Sequence, residues 1–213
     1  MAGDAYPLKH HFDDPAQQTH AATLGMWAFL ATEVLFFGGL FTAYAVYRSS
    51  YPGAFAEASR HLDVTLGTIN TGVLIGSSLT MALAVWAAQT GRRRDQVLYL
   101  VLTILLGSVF LGIKVVEYGH KFHEHLVPGP HFSGSEPAHA QIFFSLYFVM
   151  TGMHALHMVI GIVLLAILAV RAGRGRFSPV YYSPVEVTGL YWHFVDIVWI
   201  FLFPMLYLIG LHA

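Results

Sequence analysis

A histidine and an aspartate lie three residues apart inside one of the most apolar stretches of the chain. The stretch GLYWHFVDIVWIFLFPMLYLIG, residues 189–210, contains His193 and Asp196. A spacing of three residues places both side chains on one face of a helix. An imidazole and a carboxylate in that position can hydrogen-bond to each other, exchange protons or bind a metal ion. Which chemistry applies depends first on whether the helix lies in water or in a membrane.

The composition predicts an integral membrane protein. Of the 213 residues, 56% are hydrophobic and 11% are charged, and the mean hydropathy is +0.59. Five apolar blocks are long enough to cross ~30 Å of hydrocarbon as helices, and they are too long for barrel strands of ~9–11 residues. They cover approximately residues 22–47, 66–89, 97–117, 141–170 and 187–210. The predicted fold is an all-α bundle of five transmembrane helices in a single membrane domain, residues 1–213, with a polar N-terminal tail over residues 1–21.

Basic residues predict how the bundle is oriented. The second and fourth loops contain the segments GRRRD and VRAGRGRF, whereas the other two loops contain only Arg48, Arg60 and Lys121. Because cytoplasmic loops are enriched in arginine and lysine, we expect the N-terminus inside and the C-terminus outside. The first twenty residues lack the apolar segment of a cleavable signal peptide. The chain has no cysteine, which excludes disulfides and thiolate metal sites, and nothing in it predicts a nucleic-acid partner.

A few polar side chains lie within the predicted spans, where a charged group costs at least ~2.5–3.5 kcal/mol. At ~1.5 Å per helical residue, Glu33 lies ~16 Å and Asp196 ~13 Å from the inner ends of their spans. His157 lies ~20 Å and His154 ~24 Å from the inner end of the fourth span. These depths predict that Glu33, His157 and Asp196 can meet. We also expect Glu33 to be protonated at pH 7 and hydrogen-bonded to a group such as His157.

Three interpretations of this group stay open. The four residues His154, His157, His193 and Asp196 can form a buried polar network that only holds helices together. Alternatively, with Glu33 as a proton-related buried carboxylate, they can bind and relay protons. Finally, the His154–His157 pair together with His193 and Asp196 can supply ligands to a redox metal if these side chains converge.

Other features predict smaller roles. Lys114 and Glu117, three residues apart near the outer end of the third span, are expected to neutralise each other, and Lys114 can extend towards the membrane surface. Gly72 and Gly76 have the GxxxG spacing of a helix-packing face. The loop GHKFHEHLVPGPH has a metal-binding composition, but its prolines and glycine do not favour one geometry, so no metal site is predicted and the point stays open. Its histidines are His120, His123, His125 and His131.

Five segments together resemble subunit III of the haem-copper oxidases. They are ATEVLFFGGLFTAY, LGTINTGVLIGSS, GSVFLGIKVVEY, YFVMTGMHALHMVIG and YWHFVDIVWIFLFPMLYL. Their order and spacing follow the family from about residue 24 to residue 210. Glu33 matches the family's buried carboxylate and, following a small hydroxylated residue, resembles the cytochrome c oxidase branch. Larger members have seven spans, so the chain is similar to the short bacterial form that lacks the first two.

This resemblance implies an accessory role in a proton-pumping terminal oxidase that reduces oxygen to water. In the family, haem and copper lie in subunits I and II, and subunit III has no redox centre. It packs directly on subunit I, binds phospholipid, and supports proton uptake and the durability of the active site. The implied partners are therefore subunits I and II, a small subunit IV and lipids of the bacterial cytoplasmic membrane. This chain would bind no cofactor and would not be an enzyme alone.

Two departures from the family and two alternative functions remain. A lipid cleft built partly from the two missing helices must be absent or completed by another chain. Lys114 stands where the family often has a neutral amide. The nearest alternative is subunit III of a quinol oxidase or of a nitric oxide reductase complex. An alternative of another class is a stand-alone transporter of protons or metal that uses Glu33 and the histidines.

Overall fold

A computed structural model describes residues 7–129, 132 and 139–208, and this part of the chain contains six α-helices and no named strand. Five are long and apolar enough to cross a membrane, and a short helix follows the first of them. They are α1 (Pro15–Ser50), α2 (Pro52–Ser59), α3 (Val64–Gln89), α4 (Arg93–His123), α5 (Ala140–Gly173) and α6 (Ser183–Tyr207). The all-α fold with five transmembrane helices is therefore confirmed.

The helices extend beyond the predicted apolar blocks. Helix α1 begins at Pro15, so its first turns lie within the predicted polar tail of residues 1–21, and that assignment stays a prediction. The side chain of Asp14 accepts a hydrogen bond from the backbone N–H of Gln17, which satisfies one of the free donors at the start of the helix. Hydropathy reports only the part of a helix that lies in hydrocarbon, so polar turns outside the bilayer were missed. Residues 1–6, the predicted span end at 209–210 and His131 lie outside the described residues.

Helix α6 occupies the centre of the bundle and contacts α1, α3 and α5. Its two tryptophans are completely buried, and each indole N–H finds a hydroxyl on α3. Trp192 donates to Ser77 Oγ at 2.9 Å, and Trp199 donates to Thr71 Oγ1 at 3.0 Å. A buried indole needs such a partner, so these two bonds help to set how α6 packs against α3.

Two glycines make room for Trp192. A Cβ atom on Gly107 of α4, or on Gly161 of α5, would approach ring carbons of Trp192 to 2.8 Å. Small residues at these positions therefore let α4 and α5 approach the central helix closely.

Gly72 and Gly76, the pair predicted from the GxxxG spacing, do not lie as closely against a neighbouring helix as Gly107 and Gly161 do. A Cβ on Gly72 would meet nothing within 4 Å, and one on Gly76 would meet only Leu106 Cδ1 at 3.9 Å. Gly72 is exposed on α3. Gly72 and Gly76 therefore make no close helix contact within the described residues, and the prediction, which named no partner helix, stays open for a contact with another chain.

Candidate functional site

Glu33 on α1 and His157 on α5 form a hydrogen-bonded pair. Glu33 Oε2 lies 3.1 Å from His157 Nε2, and the two side chains are only 17% and 11% exposed. The other ring nitrogen, His157 Nδ1, lies 2.8 Å from the backbone carbonyl oxygen of Met153. The hydrogen bond predicted from the depths of Glu33 and His157 is confirmed.

The contacts of His157 determine where protons can reside. A carbonyl oxygen can only accept, so Nδ1 must carry the hydrogen that is donated to Met153. In a neutral imidazole Nε2 is then an acceptor, and Glu33 must donate as a carboxylic acid. If Nε2 is protonated instead, Glu33 accepts as a carboxylate. One proton lies between the two groups in both arrangements, and the pair has no net charge.

Aromatic residues of the bundle enclose this pair on its inner side. The ring centroid of Phe37 is 5.3 Å from that of His157, and Tyr191 of α6 donates to the backbone carbonyl of His157 at 2.9 Å. On the outer side of α1, Val34 and Leu35 are strongly exposed. The pair therefore lies at the seam between α1 and α5, close to a surface that meets lipid or another chain.

Asp196 does not join this pair, so the prediction that Glu33, His157 and Asp196 meet was wrong. Tyr191 and Phe194 of α6 face α5 and α1, while His193 and Asp196 face α3. The estimated depths of the three residues are similar, but the rotation of α6 turns Asp196 towards α3. Depth follows from residue counting, whereas the direction of a side chain depends on how the helices pack.

His193 and Asp196 form a second polar group with Ser78 of α3. Ser78 Oγ lies 2.8 Å from His193 Nδ1, and Asp196 Oδ2 is 3.9 Å from the same nitrogen. The Asp196 side chain is 5% exposed, and neither carboxylate oxygen has a hydrogen bond of normal geometry within the described part of the chain. The two residues share a helix face as predicted, but a direct hydrogen bond between them is absent.

His154 occupies a third position. It is buried between Phe110, with ring centroids 5.4 Å apart, and Trp199, at 5.2 Å. Neither ring nitrogen has a hydrogen-bond partner in the described ranges. The four residues predicted as one polar network therefore lie in three separate places. Within residues 7–129, 132 and 139–208, no three His, Cys, Asp or Glu side chains are grouped to hold a metal, so the predicted metal ligands do not converge.

Lys114 and Glu117 belong to a larger buried cluster. Lys114 Nζ is 2.9 Å from Glu117 Oε2, which confirms the predicted ion pair, and it donates to Tyr207 Oη at 2.6 Å. Tyr147 donates to the other oxygen of Glu117 at 3.0 Å, and Tyr207 donates to that oxygen as well. The prediction that Lys114 can extend to the membrane surface was wrong, because its side chain is 5% exposed and Nζ points into the bundle.

The two tyrosines were not predicted from sequence. Their hydroxyls come from α5 and α6 and bring three helices to one ion pair. The available signal was that a lysine within a membrane helix needs partners when it is buried, which directs attention to tyrosines at a matching depth on the other helices.

The described part of the chain is thus a bundle of membrane-spanning helices that encloses several small groups of buried polar side chains. The family described as Cytochrome c oxidase subunit III matches residues 13–211. The chain belongs to this family of haem-copper oxidase subunits. Members are subunits of terminal oxidases, which are oxidoreductase complexes, and the chain is a multi-pass protein of a bacterial cytoplasmic membrane.

Individual relatives come from both branches of the family. The chain is 34% identical over 188 residues to "Quinol oxidase subunit 3" of Bacillus subtilis (strain 168), covering 88% of this chain and 87% of the relative. It is 33% identical over 189 residues to "Cytochrome c oxidase subunit 3" of Corynebacterium diphtheriae, with the same coverage. It is 30% identical over 199 residues to "Cytochrome bo(3) ubiquinol oxidase subunit 3" of Pseudomonas putida, covering 92% and 88%.

Proposed function

We propose that the chain is the accessory subunit III of a proton-pumping cytochrome c oxidase. In this role it packs directly on subunit I, with subunit II and a small subunit IV as further partners, and binds structural phospholipid. It carries no redox centre, so haem and copper belong to the partner subunits. Its contribution is to support proton uptake and to prolong the activity of the catalytic subunit during turnover.

The observation that carries this proposal is the Glu33–His157 pair. The pair holds one proton between two side chains, has no net charge and needs no cation from elsewhere. Such a pair is suited to a protonatable position near the surface of a membrane helix, where an unpaired charge would be costly. It offers no route for electrons, which fits a subunit that assists proton handling without taking part in electron transfer.

The choice of cytochrome c as electron donor rests on Glu33. A carboxylate after a small hydroxylated residue, here Thr32, resembles the cytochrome c oxidase branch. A quinol oxidase is the second candidate, since the quinol and cytochrome c relatives are 34% and 33% identical over the same share of this chain. Overall identity therefore does not discriminate between the two electron donors. A measurement of which donor the complex oxidises is needed to discriminate between them.

Purification of the intact complex through a tag on this chain tests the assignment. We expect co-purifying subunits with haem and copper spectra and oxidation of reduced cytochrome c. Ubiquinol oxidation in place of cytochrome c oxidation would select the second candidate. Recovery of the chain alone, without haem-bearing partners and with ion movement in liposomes, would select the transporter alternative instead.

A deletion tests the accessory role. An oxidase that lacks this chain should keep its haem and copper spectra and its initial rate of oxygen reduction, yet lose activity sooner during turnover. A complex with properly assembled partner subunits but no initial activity would contradict the proposal, because it would place this chain in the electron path. Metal analysis of the chain stripped from its complex provides a second check, and one tightly held copper or iron per chain would also overturn the proposal.

A further inference from the structure

A groove of about 320 Å³ opens between α3 and α6, on the side of α6 that does not face α1 and α5. Its rim is apolar, with Ile75 and Ile197 more than half exposed. Polar side chains from both helices also line it, and these are Thr71, Ser78, His193 and Asp196. Polar groups surrounded by an apolar rim are typical of a site where two membrane helices pack together. A surface that meets only lipid tails has no use for such polar groups.

The polar groups in this groove are only partly satisfied. His193 uses Nδ1 for its contact with Ser78, which leaves Nε2 available, and its side chain is 34% exposed. Behind it lies the Asp196 carboxylate, 95% buried and without a hydrogen bond of normal geometry from the residues the structure describes. An incoming polar group would meet His193 first, and the Ser78 hydroxyl and Asp196 would then adjust to the tautomer that this contact selects.

The depth of the groove argues against lipid as its occupant. Asp196 is the fourteenth residue of the 25-residue helix α6, about 20 Å from the start of the helix at ~1.5 Å per residue. Lipid headgroups lie at the bilayer surface, and acyl chains cannot form hydrogen bonds with an imidazole. A neighbouring protein helix can supply a hydroxyl, amide or carboxyl group at this depth.

The shape of α3 beside the groove favours the same occupant. Gly72 is exposed, and a Cβ built on it meets nothing within 4 Å, so its surface is open to close approach by a second backbone. We propose that the groove between α3 and α6 receives a transmembrane helix of a partner oxidase subunit, whose polar side chain hydrogen-bonds to His193. This inference rests on the proposed function, because it requires the assembled oxidase.

Site-specific photocrosslinking in the assembled oxidase tests the groove. p-Benzoylphenylalanine replaces Ile197 at the rim in one variant and Ile160 of α5 in a matched control. Both are exposed isoleucines, at 51% and 44%. Ile197 lies about 20 Å from the start of α6, and Ile160 lies about 20 Å from the end of α5. A short connection joins these two helix ends, so the two positions have a similar depth. We expect position 197 to crosslink to a partner subunit several-fold more than position 160. Crosslinks from position 197 to lipid alone would overturn the proposal.

A second measurement uses the unaltered complex, in case the bulky crosslinker at position 197 blocks assembly. A lipid-phase carbene probe should label Ile160 strongly and Ile75 and Ile197 weakly while the subunits are assembled. After the partner subunits are removed, labelling of Ile75 and Ile197 should rise towards that of Ile160. Equal labelling of all three residues in the intact complex would show that the groove faces lipid. Co-purification with haem-bearing subunits tests the proposed function separately, so either idea can fail alone.

Discussion

The Glu33–His157 pair and the His193–Asp196 pair contain the same two chemical groups, but their surroundings differ. In the first pair His157 Nδ1 donates to a backbone carbonyl oxygen. The other ring nitrogen, Nε2, therefore shares one proton with Glu33 in a direct hydrogen bond of 3.1 Å. In the second, Ser78 binds His193 Nδ1, and the carboxylate remains 3.9 Å away without a normal hydrogen bond. Both ring nitrogens of the first pair have hydrogen-bond partners within the chain. The second pair leaves His193 Nε2 and the Asp196 carboxylate able to accept or donate further hydrogen bonds.

The largest expected effect is from Glu33→Lys. This change places an ammonium group beside His157 at a packed position within the membrane, where an unpaired buried charge costs about 3–5 kcal/mol. We expect the variant chain to be lost from the purified oxidase, as measured by its ratio to the other subunits. Glu33→Gln is the matched control and should be retained. Normal incorporation of the lysine variant would show that Glu33 lies in a wetter setting than the bond to His157 indicates.

The buried cluster around Lys114 contains an ion pair in direct contact, which neither of the two histidine–carboxylate pairs need be. Lys114→Met should destabilise the chain by about 3–5 kcal/mol, because Glu117 keeps a buried charge without its cation. The double variant Lys114→Met with Glu117→Leu should recover much of that loss. Thermal unfolding of the detergent-solubilised chain measures both. If the double variant is no more stable than the single one, the tyrosine hydroxyls rather than the charges determine the stability of the cluster.

Replacing either Glu33 or Asp196 by leucine tests whether the two pairs differ in their contribution to stability. Glu33→Leu should cost about 1–3 kcal/mol because it leaves His157 Nε2 without its partner. Asp196→Leu should cost less or stabilise the isolated chain, since it removes a buried carboxylate that has no normal hydrogen bond. Thermal unfolding of the two variants side by side gives the ranking. A reversed order would mean that Asp196 has a donor that the 3.9 Å contact does not reveal.

The smallest effect is expected from Glu33→Gln, because the amide N–H can donate to His157 Nε2 as a carboxylic acid does. Assembly and initial activity should stay near those of the unaltered chain. Infrared difference spectra between the two complexes at pH 7 should show the loss of a protonated-carboxyl band, since separated charges are costly within a bilayer. If an ionised carboxylate band disappears instead, the pair is an imidazolium and a carboxylate, and His157 is the cation.

Several features of the molecule followed from residue order and hydropathy alone. The five spans could be predicted because crossing the bilayer requires long apolar helices, whatever packs beside them. The Lys114–Glu117 pair could be predicted because residues three apart share a helix face. Similar depths, obtained by counting along each helix, made the bond between Glu33 and His157 possible, although its formation also requires that α1 and α5 turn these side chains towards each other.

Tertiary packing decided the features that depend on helix rotation and on contacts between distant segments. Asp196 has a depth comparable to that of Glu33 but turns to α3, because Tyr191 and Phe194 take the side of α6 that faces α5 and α1. Gly107 and Gly161, rather than the GxxxG pair, sit against Trp192. Hydropathy and spacing describe one helix at a time, whereas the facing of each helix is set by the side chains that pack between neighbours.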